Sequence, residues 1–131
     1  MERRVVNPWT WQDKFGFVQA NAISNPTNFL ICAGQTSVDA DGNPMHAGDM
    51  AAQLNQAMDN VETVLAQAGF SLPDIVRLNY YTTDVDRFLE ASGTIGPRLG
   101  AAGCRPASTL LGVSRLAFPE FLIEIEVTAA K

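Results

Sequence analysis

The sequence predicts an α+β fold in which two helices cover one face of a mixed sheet. Three observations carry this. One long stretch, Asp49 to Gly69, has a helical apolar period; the segments around it are short and rich in β-branched or aromatic residues; and the chain closes with two strand-like runs, Ala107 to Val113 and Phe121 to Thr128. The order is strand, strand, helix, strand, helix, strand, strand. With no internal repeat or linker, residues 1–131 read as one domain.

Residues 1–14, with Pro8, Trp9 and Trp11, show no period and read as an irregular arm whose tryptophans pack onto the body. Phe15 to Ala22 fits a short strand, and Asn28 to Ala33 a second that ends at Gly34-Gln35, giving an opening antiparallel pair. Val38 to Gly48 is a loop, marked by Asp41-Gly42 and Asn43-Pro44. In the first helix Leu54, Met58, Val61, Leu65 and Ala68 recur every three or four residues, Asp49 caps the start and Gly69 suits the end. Gln53, Gln56 and Asn60 fall off that stripe and read as surface or edge amides.

Ile75 to Thr83 is a strand by its β-branched and aromatic content. Asp84 caps a second helix from Val85, with Phe88, Leu89 and Ala91 inward. Gly93, Gly96 and Pro97 break or kink it, because proline removes a helical hydrogen bond and clashes with the turn before it. Two helices leave the second face of the sheet bare, which predicts self-association.

A hydrophobic content of 47% with 18% charged residues places the chain among globular proteins. The net charge of -5 and the lack of Lys/Arg clusters disfavour nucleic acid as a partner. No apolar run approaches the ~20 residues of a membrane helix, and the amino terminus is polar, so no membrane association and a cytoplasmic location are expected. Cys32 and Cys104 lack CxxC spacing and read as free thiols. Cys32 ends a strand, either as a small core residue or facing a cleft. With His46 the only histidine, no metal site is expected.

Charge threads the core at one place. Ile123, Ile125 and Val127 alternate with Glu124 and Glu126, which puts both carboxylates on one strand face, about 6.5–7 Å apart. Arg105, Ser108 and Thr109 approach that face if the two closing runs pair. Two readings stand: a solvated hairpin face with Arg115 as surface partner, or a site.

Cys32-Ala33-Gly34-Gln35, Gln53-x-x-Gln56-x-x-x-Asn60, Tyr81-Thr82-Thr83-Asp84, Arg105-Pro106-Ala107 and Leu122-Ile123-Glu124-Ile125-Glu126 together resemble the RidA/YjgF family of reactive-intermediate deaminases, from about Phe15 onward. The resemblance implies a chorismate-mutase-like α+β domain, assembled as a homotrimer with three intersubunit clefts. It implies hydrolysis of enamines and imines to keto acids and ammonia with no cofactor. In that family a cleft arginine holds the substrate carboxylate, and a glutamate with a bound water moves protons.

Glu124 aligns with the family glutamate. The arginine position after Pro-Ala is Ser108, the serine before Gly34 is Ala33, the aromatic near the first strand is Phe17, and the helix asparagine corresponds to Ser92. Either Arg105 reaches the cleft from the loop before its strand, or the cleft takes a less acidic ligand. In the second case Phe17 gives apolar contact, Ser108 and Thr109 hydrogen bonds, and Gly34 an unhindered amide; strand geometry favours it. Two functions follow: an imine or enamine hydrolase of altered substrate range with Glu124 as acid–base residue, or a trimer that binds a small metabolite without turnover. A ribonuclease role ranks third, against the acidic charge.

Overall fold

The computed structural model describes residues 1–131. Its strands are β1 (Glu2–Val6), β2 (Ala20–Ser24), β3 (Phe29–Ile31), β4 (Ile75–Thr82), β5 (Ala107–Gly112) and β6 (Ile123–Ala130); its helices are α1 (Met50–Gln67), α2 (Val85–Ala91) and α3 (Gly96–Ala101). The main sheet runs β3-β6-β4-β5 and is mixed: β4 and β5 are parallel, the other pairs antiparallel. β1 and β2 form a ribbon of their own, and a parallel bridge from Val18 to Ala107 joins the chain just before β2 to the β5 edge.

The α1 period works as expected. Leu54, Met58, Val61 and Leu65 are buried and form one cluster with Leu78, Ile123, Ile125 and Val127 of the sheet. Burial of each such side chain stabilises the fold by about 1.5–3 kcal/mol. The Asp49 side chain accepts from the Ala52 amide at 3.0 Å, and Gly69, at φ 77°, ends the helix in the left-handed region. The second helix breaks where Gly93 to Pro97 predicted: α2 stops, a tight turn spans Ser92–Thr94, and Pro97 sits in the first turn of α3. Three helices therefore stand where two were expected. Arg98 of α3 bonds to Asp59 and Glu62 of α1, closing the helical layer.

Four expectations need correction. The amino-terminal arm is not irregular throughout, because Glu2–Val6 pairs with Ala20–Ser24. Phe15 to Ala22 is mostly turn, and its strand begins only at Ala20. The opening antiparallel pair does not exist: β2 pairs with β1, and β3 with β6. The two closing strands do not pair either, because β4 lies between β5 and β6 and separates them by one strand width, about 4.8 Å on each side.

The tryptophans are largely exposed, at 58% for Trp9 and 54% for Trp11, although Trp11 meets the Phe17 ring edge-on at 5.9 Å. Both cysteines are free and buried; Cys32 belongs to the core, and burial pushes its thiol up. No helix is long and apolar enough to cross a membrane.

Candidate functional site

Strand alternation gives the sheet two chemically different faces. Leu78, Val127, Ile125 and Ile123 point to the helices, so Arg77, Asn79 and Tyr81 of β4 and Glu124, Glu126 and Thr128 of β6 share the open face. Register sets Tyr81 opposite Glu124 and Asn79 opposite Glu126. Glu126 is held: its Oε1 accepts from the Tyr81 hydroxyl at 2.9 Å and from Asn79 Nδ2 at 3.2 Å. That bond to Glu126 is also the main reason the Tyr81 phenol is shifted up. Exposed Phe29, Ile31 and Leu111 lie on the same face, while Asn79 Oδ1 is buried there with no partner.

Glu124 is half-buried on this face. Burial first, and the charge of Glu126 second, raise its carboxyl above the ordinary carboxylate range. It lies against Gly34, where a β-carbon would fall 2.9 Å from Glu124 Cγ and inside the carboxylate itself. Gly34 has no left-handed φ, so the reason for glycine is close approach. Backbone pairing fixes the contact: Gln35 N donates to Ile125 O at 2.7 Å and Ile125 N to Gln35 O at 2.9 Å.

The amides of α1 support that loop and are not surface residues. Asn60 Nδ2 donates to the Thr36 and Val38 carbonyls at 2.9 and 3.1 Å, and Gln56 donates to Asn60 Oδ1 at 3.1 Å. Gln53 is fully buried. Its Nε2 donates to the Glu120 and His46 carbonyls at 2.8 and 3.1 Å, and its Oε1 accepts from the Leu122 amide at 2.9 Å, which fixes the chain as it enters β6.

The other candidate residues gather on the helix side. A cavity of about 890 Å³ opens there, bordered by Phe17, Tyr80, Phe88, Ser92, Ser108 and Leu110, with Asp13 and Lys14 at its rim. Phe17 is carried by a turn that buried Gln12 pins, through bonds to the Trp9 carbonyl at 2.9 Å and from Gln19 at 3.2 Å. Ser92 Oγ turns back to the Leu89 carbonyl at 2.7 Å. Leu89, expected inward, is 53% exposed at the cavity mouth.

Arg105 lies in a smaller depression that shares Asp13, Gly16 and Phe17 with the cavity. Its backbone is anchored, because its carbonyl accepts from Arg3 Nη2 at 2.5 Å and from Asn21 Nδ2 at 3.2 Å.

The candidates thus fall into two groups. Phe17, Ser92, Ser108 and Arg105 stand on one side of the sheet; Ala33, Gly34 and Glu124 stand on the other. Register puts Ser108 opposite Leu78, on the helix side, and Thr109 opposite Asn79, on the open side, where Thr109 Oγ1 accepts from Arg77 Nη2 at 2.8 Å. Within one chain Ser108 and Thr109 therefore do not serve the same ligand. Sequence reasoning missed Tyr80, whose signal was only one more aromatic in a strand, and the Tyr81–Glu126 bond, which needs the register of two distant segments.

Residues 14–131 match the sequence model of the family described as endoribonuclease L-PSP. The chain belongs to the RidA/YjgF family. Among curated relatives, a RutC family protein of Pyrococcus horikoshii is 34% identical over 104 residues, 79% of this chain and 80% of that one. A protein of Escherichia coli named 2-iminobutanoate/2-iminopropanoate deaminase is 30% identical over 105 residues, again 79% and 80% of the two chains. Among solved structures, a conserved Rid family protein of Yersinia pestis superposes over 100% of both chains with TM-score 0.87 and 36% identity. All the candidate residues of this RidA/YjgF chain, from Phe17 to Glu124, lie inside the matched region.

Proposed function

We propose that the protein hydrolyses a reactive enamine or imine, without a cofactor, in a cleft formed between neighbouring copies of a homotrimer. The observation that carries the reading is the half-buried Glu124 carboxyl, shifted upward and held against Gly34. A carboxyl so placed holds its proton more tightly than an ordinary carboxylate does, which suits it to give and take protons. On an imine, Glu124 takes a proton from the attacking water as its oxygen bonds to the C=N carbon. It then returns that proton to nitrogen, giving the carbinolamine, and carries the hydroxyl proton to nitrogen as well, so that C=O forms as the C–N bond breaks and ammonia and a carbonyl product leave. An enamine first takes a proton on carbon from the same group.

Two features support a shared cleft. The Glu124 face and the Phe17–Ser108 cavity lie on opposite sides of one sheet, so a ligand that meets both must lie between two copies. The open face carries exposed Phe29, Ile31 and Leu111 and the orphaned Asn79 Oδ1, which favours covering it. One E. coli relative is named for imine deamination. The loss of arginine at Ser108 alters the substrate range. The net charge of -5 and the apolar cavity favour a small molecule over the RNA implied by the family description.

Ser108 also motivates the second reading, a trimer that binds a metabolite without turnover. Stopped-flow hydrolysis of imines generated in situ, from acidic and neutral amino-acid derivatives, separates the two. The proposal expects acceleration over buffer that is lost in Glu124→Ala. Rates equal to buffer throughout, together with deaminase activity conferred by Ser108→Arg, would establish the binding reading.

A further inference from the structure

The cavity beside Phe17 carries two hydroxyls that the chain leaves unused. Tyr80 Oη and Ser108 Oγ make no hydrogen bond within the protein, yet neither is a sealed, unpaired atom, so both remain open to what enters. They lie on neighbouring strands of the same sheet face: Leu78 and Tyr80 of β4 stand opposite Ser108 and Leu110 of β5. Around them the wall is apolar, with Phe17, Phe88, Ile95 and Leu99. The Tyr80 ring is locked against Phe88, centroids 4.9 Å apart, so its hydroxyl is presented from a fixed position.

The charged residues that line the cavity, Asp13 and Lys14, are both exposed. Lys14 is exposed and holds its ammonium over the Phe15 ring at 5.0 Å, beside Asp13; Arg105 is exposed in the adjoining depression, which Asp13 also borders. A carboxylate placed among the aromatic walls would lose its hydration without a cation to replace it, which is costly, whereas an amide, ester or ketone needs only hydrogen bonds. Burial keeps the Tyr80 phenol protonated, a donor at every working pH.

We propose that Tyr80 and Ser108 form a binding site for a ligand with an apolar, ring-sized body and an uncharged carbonyl head, the two hydroxyls serving the carbonyl while the apolar wall disfavours a carboxylate. This rests on the preceding reading only for where the ligand binds; it concerns recognition and is independent of turnover.

The test is equilibrium binding of a matched pair, phenylacetamide and phenylacetate, to the assembled protein by calorimetry or ligand-observed NMR. Phenylacetamide is expected to bind at least about tenfold more tightly. Tyr80→Phe, which keeps the ring against Phe88, is expected to weaken the amide by about three- to tenfold. Ser108→Ala weakens the amide similarly, and Arg105→Ala leaves the preference in place. Equal or tighter binding of phenylacetate, an amide affinity unchanged in Tyr80→Phe, or no binding of either probe would overturn the assignment. Amide binding that depends on Tyr80 in a protein with no imine turnover would contradict only the catalytic reading.

Discussion

Gly34 and Glu124 occupy one volume: the carboxylate of Glu124 lies where the side chain of any other residue at position 34 would have to be. Gly34 is thus the floor under the proposed acid–base group, set there by the Gln35–Ile125 bridge and by the Asn60 bonds to the Thr36 and Val38 carbonyls behind it.

Gly34→Ala adds no backbone strain, so its effect is confined to pushing Glu124 aside. Turnover is expected to fall by about tenfold or more, since an ångström of misplacement is costly to proton transfer. The melting temperature should change little. Gly69→Ala serves as the contrast: its φ of 77° with open space around it predicts lost stability with turnover retained in the folded fraction. Steady-state kinetics with thermal melts of both variants checks the pair.

The raised carboxyl of Glu124 predicts a signed pH dependence. Its folded-state value lies above the unfolded value of about 4.3, so between the two the native chain holds a proton that the unfolded chain has released. The stability from this group is full below that lower value and is lost as pH rises through the upper one. Glu124→Gln is accordingly expected to raise the melting temperature near pH 7 and to match the parent near pH 4, roughly the unfolded value. Because Glu126 supplies the second cause of the shift, Glu126→Gln should move the acid limb of the rate profile to lower pH. A melting difference that is the same at both pH values would remove the electrostatic argument.

Gln53 shows how a polar residue can be as structural as a leucine. Gln53→Ala removes a fully buried amide and leaves the Leu122 amide and the Glu120 carbonyl without that partner. A loss of about 2–4 kcal/mol is expected, read as a lower urea midpoint with an unchanged slope.

The elements governed by local rules were legible in the sequence. The α1 stripe, its Asp49 cap and Gly69 stop, the break before Pro97 and the alternation of β6 each depend on neighbours a few residues away. What escaped depends on long-range pairing. Glu2–Val6 carries no period that marks it as a strand, and only Ala20–Ser24 makes it one. The short link between β5 and β6 suggested a hairpin, but the parallel crossover from β4 puts that strand between them. The same insertion sends Ser108 and Thr109 to faces whose neighbours no spacing rule could name. Gln53 looked superficial because polarity usually marks the surface, and its three backbone partners lie around positions 46 and 120–122.

The central claim is that one copy supplies Glu124 and its neighbour supplies the Phe17–Ser108 cavity. The most direct measurement is complementation: Glu124→Gln and a variant whose cavity is blocked by Ser108→Trp are each inactive alone, then are co-refolded in equal amounts and assayed for imine hydrolysis, with light scattering to confirm trimers. Random mixing gives a cleft with both halves intact about one time in four, so about a quarter of parental activity is predicted. Mixed trimers no more active than either variant alone would contradict the account.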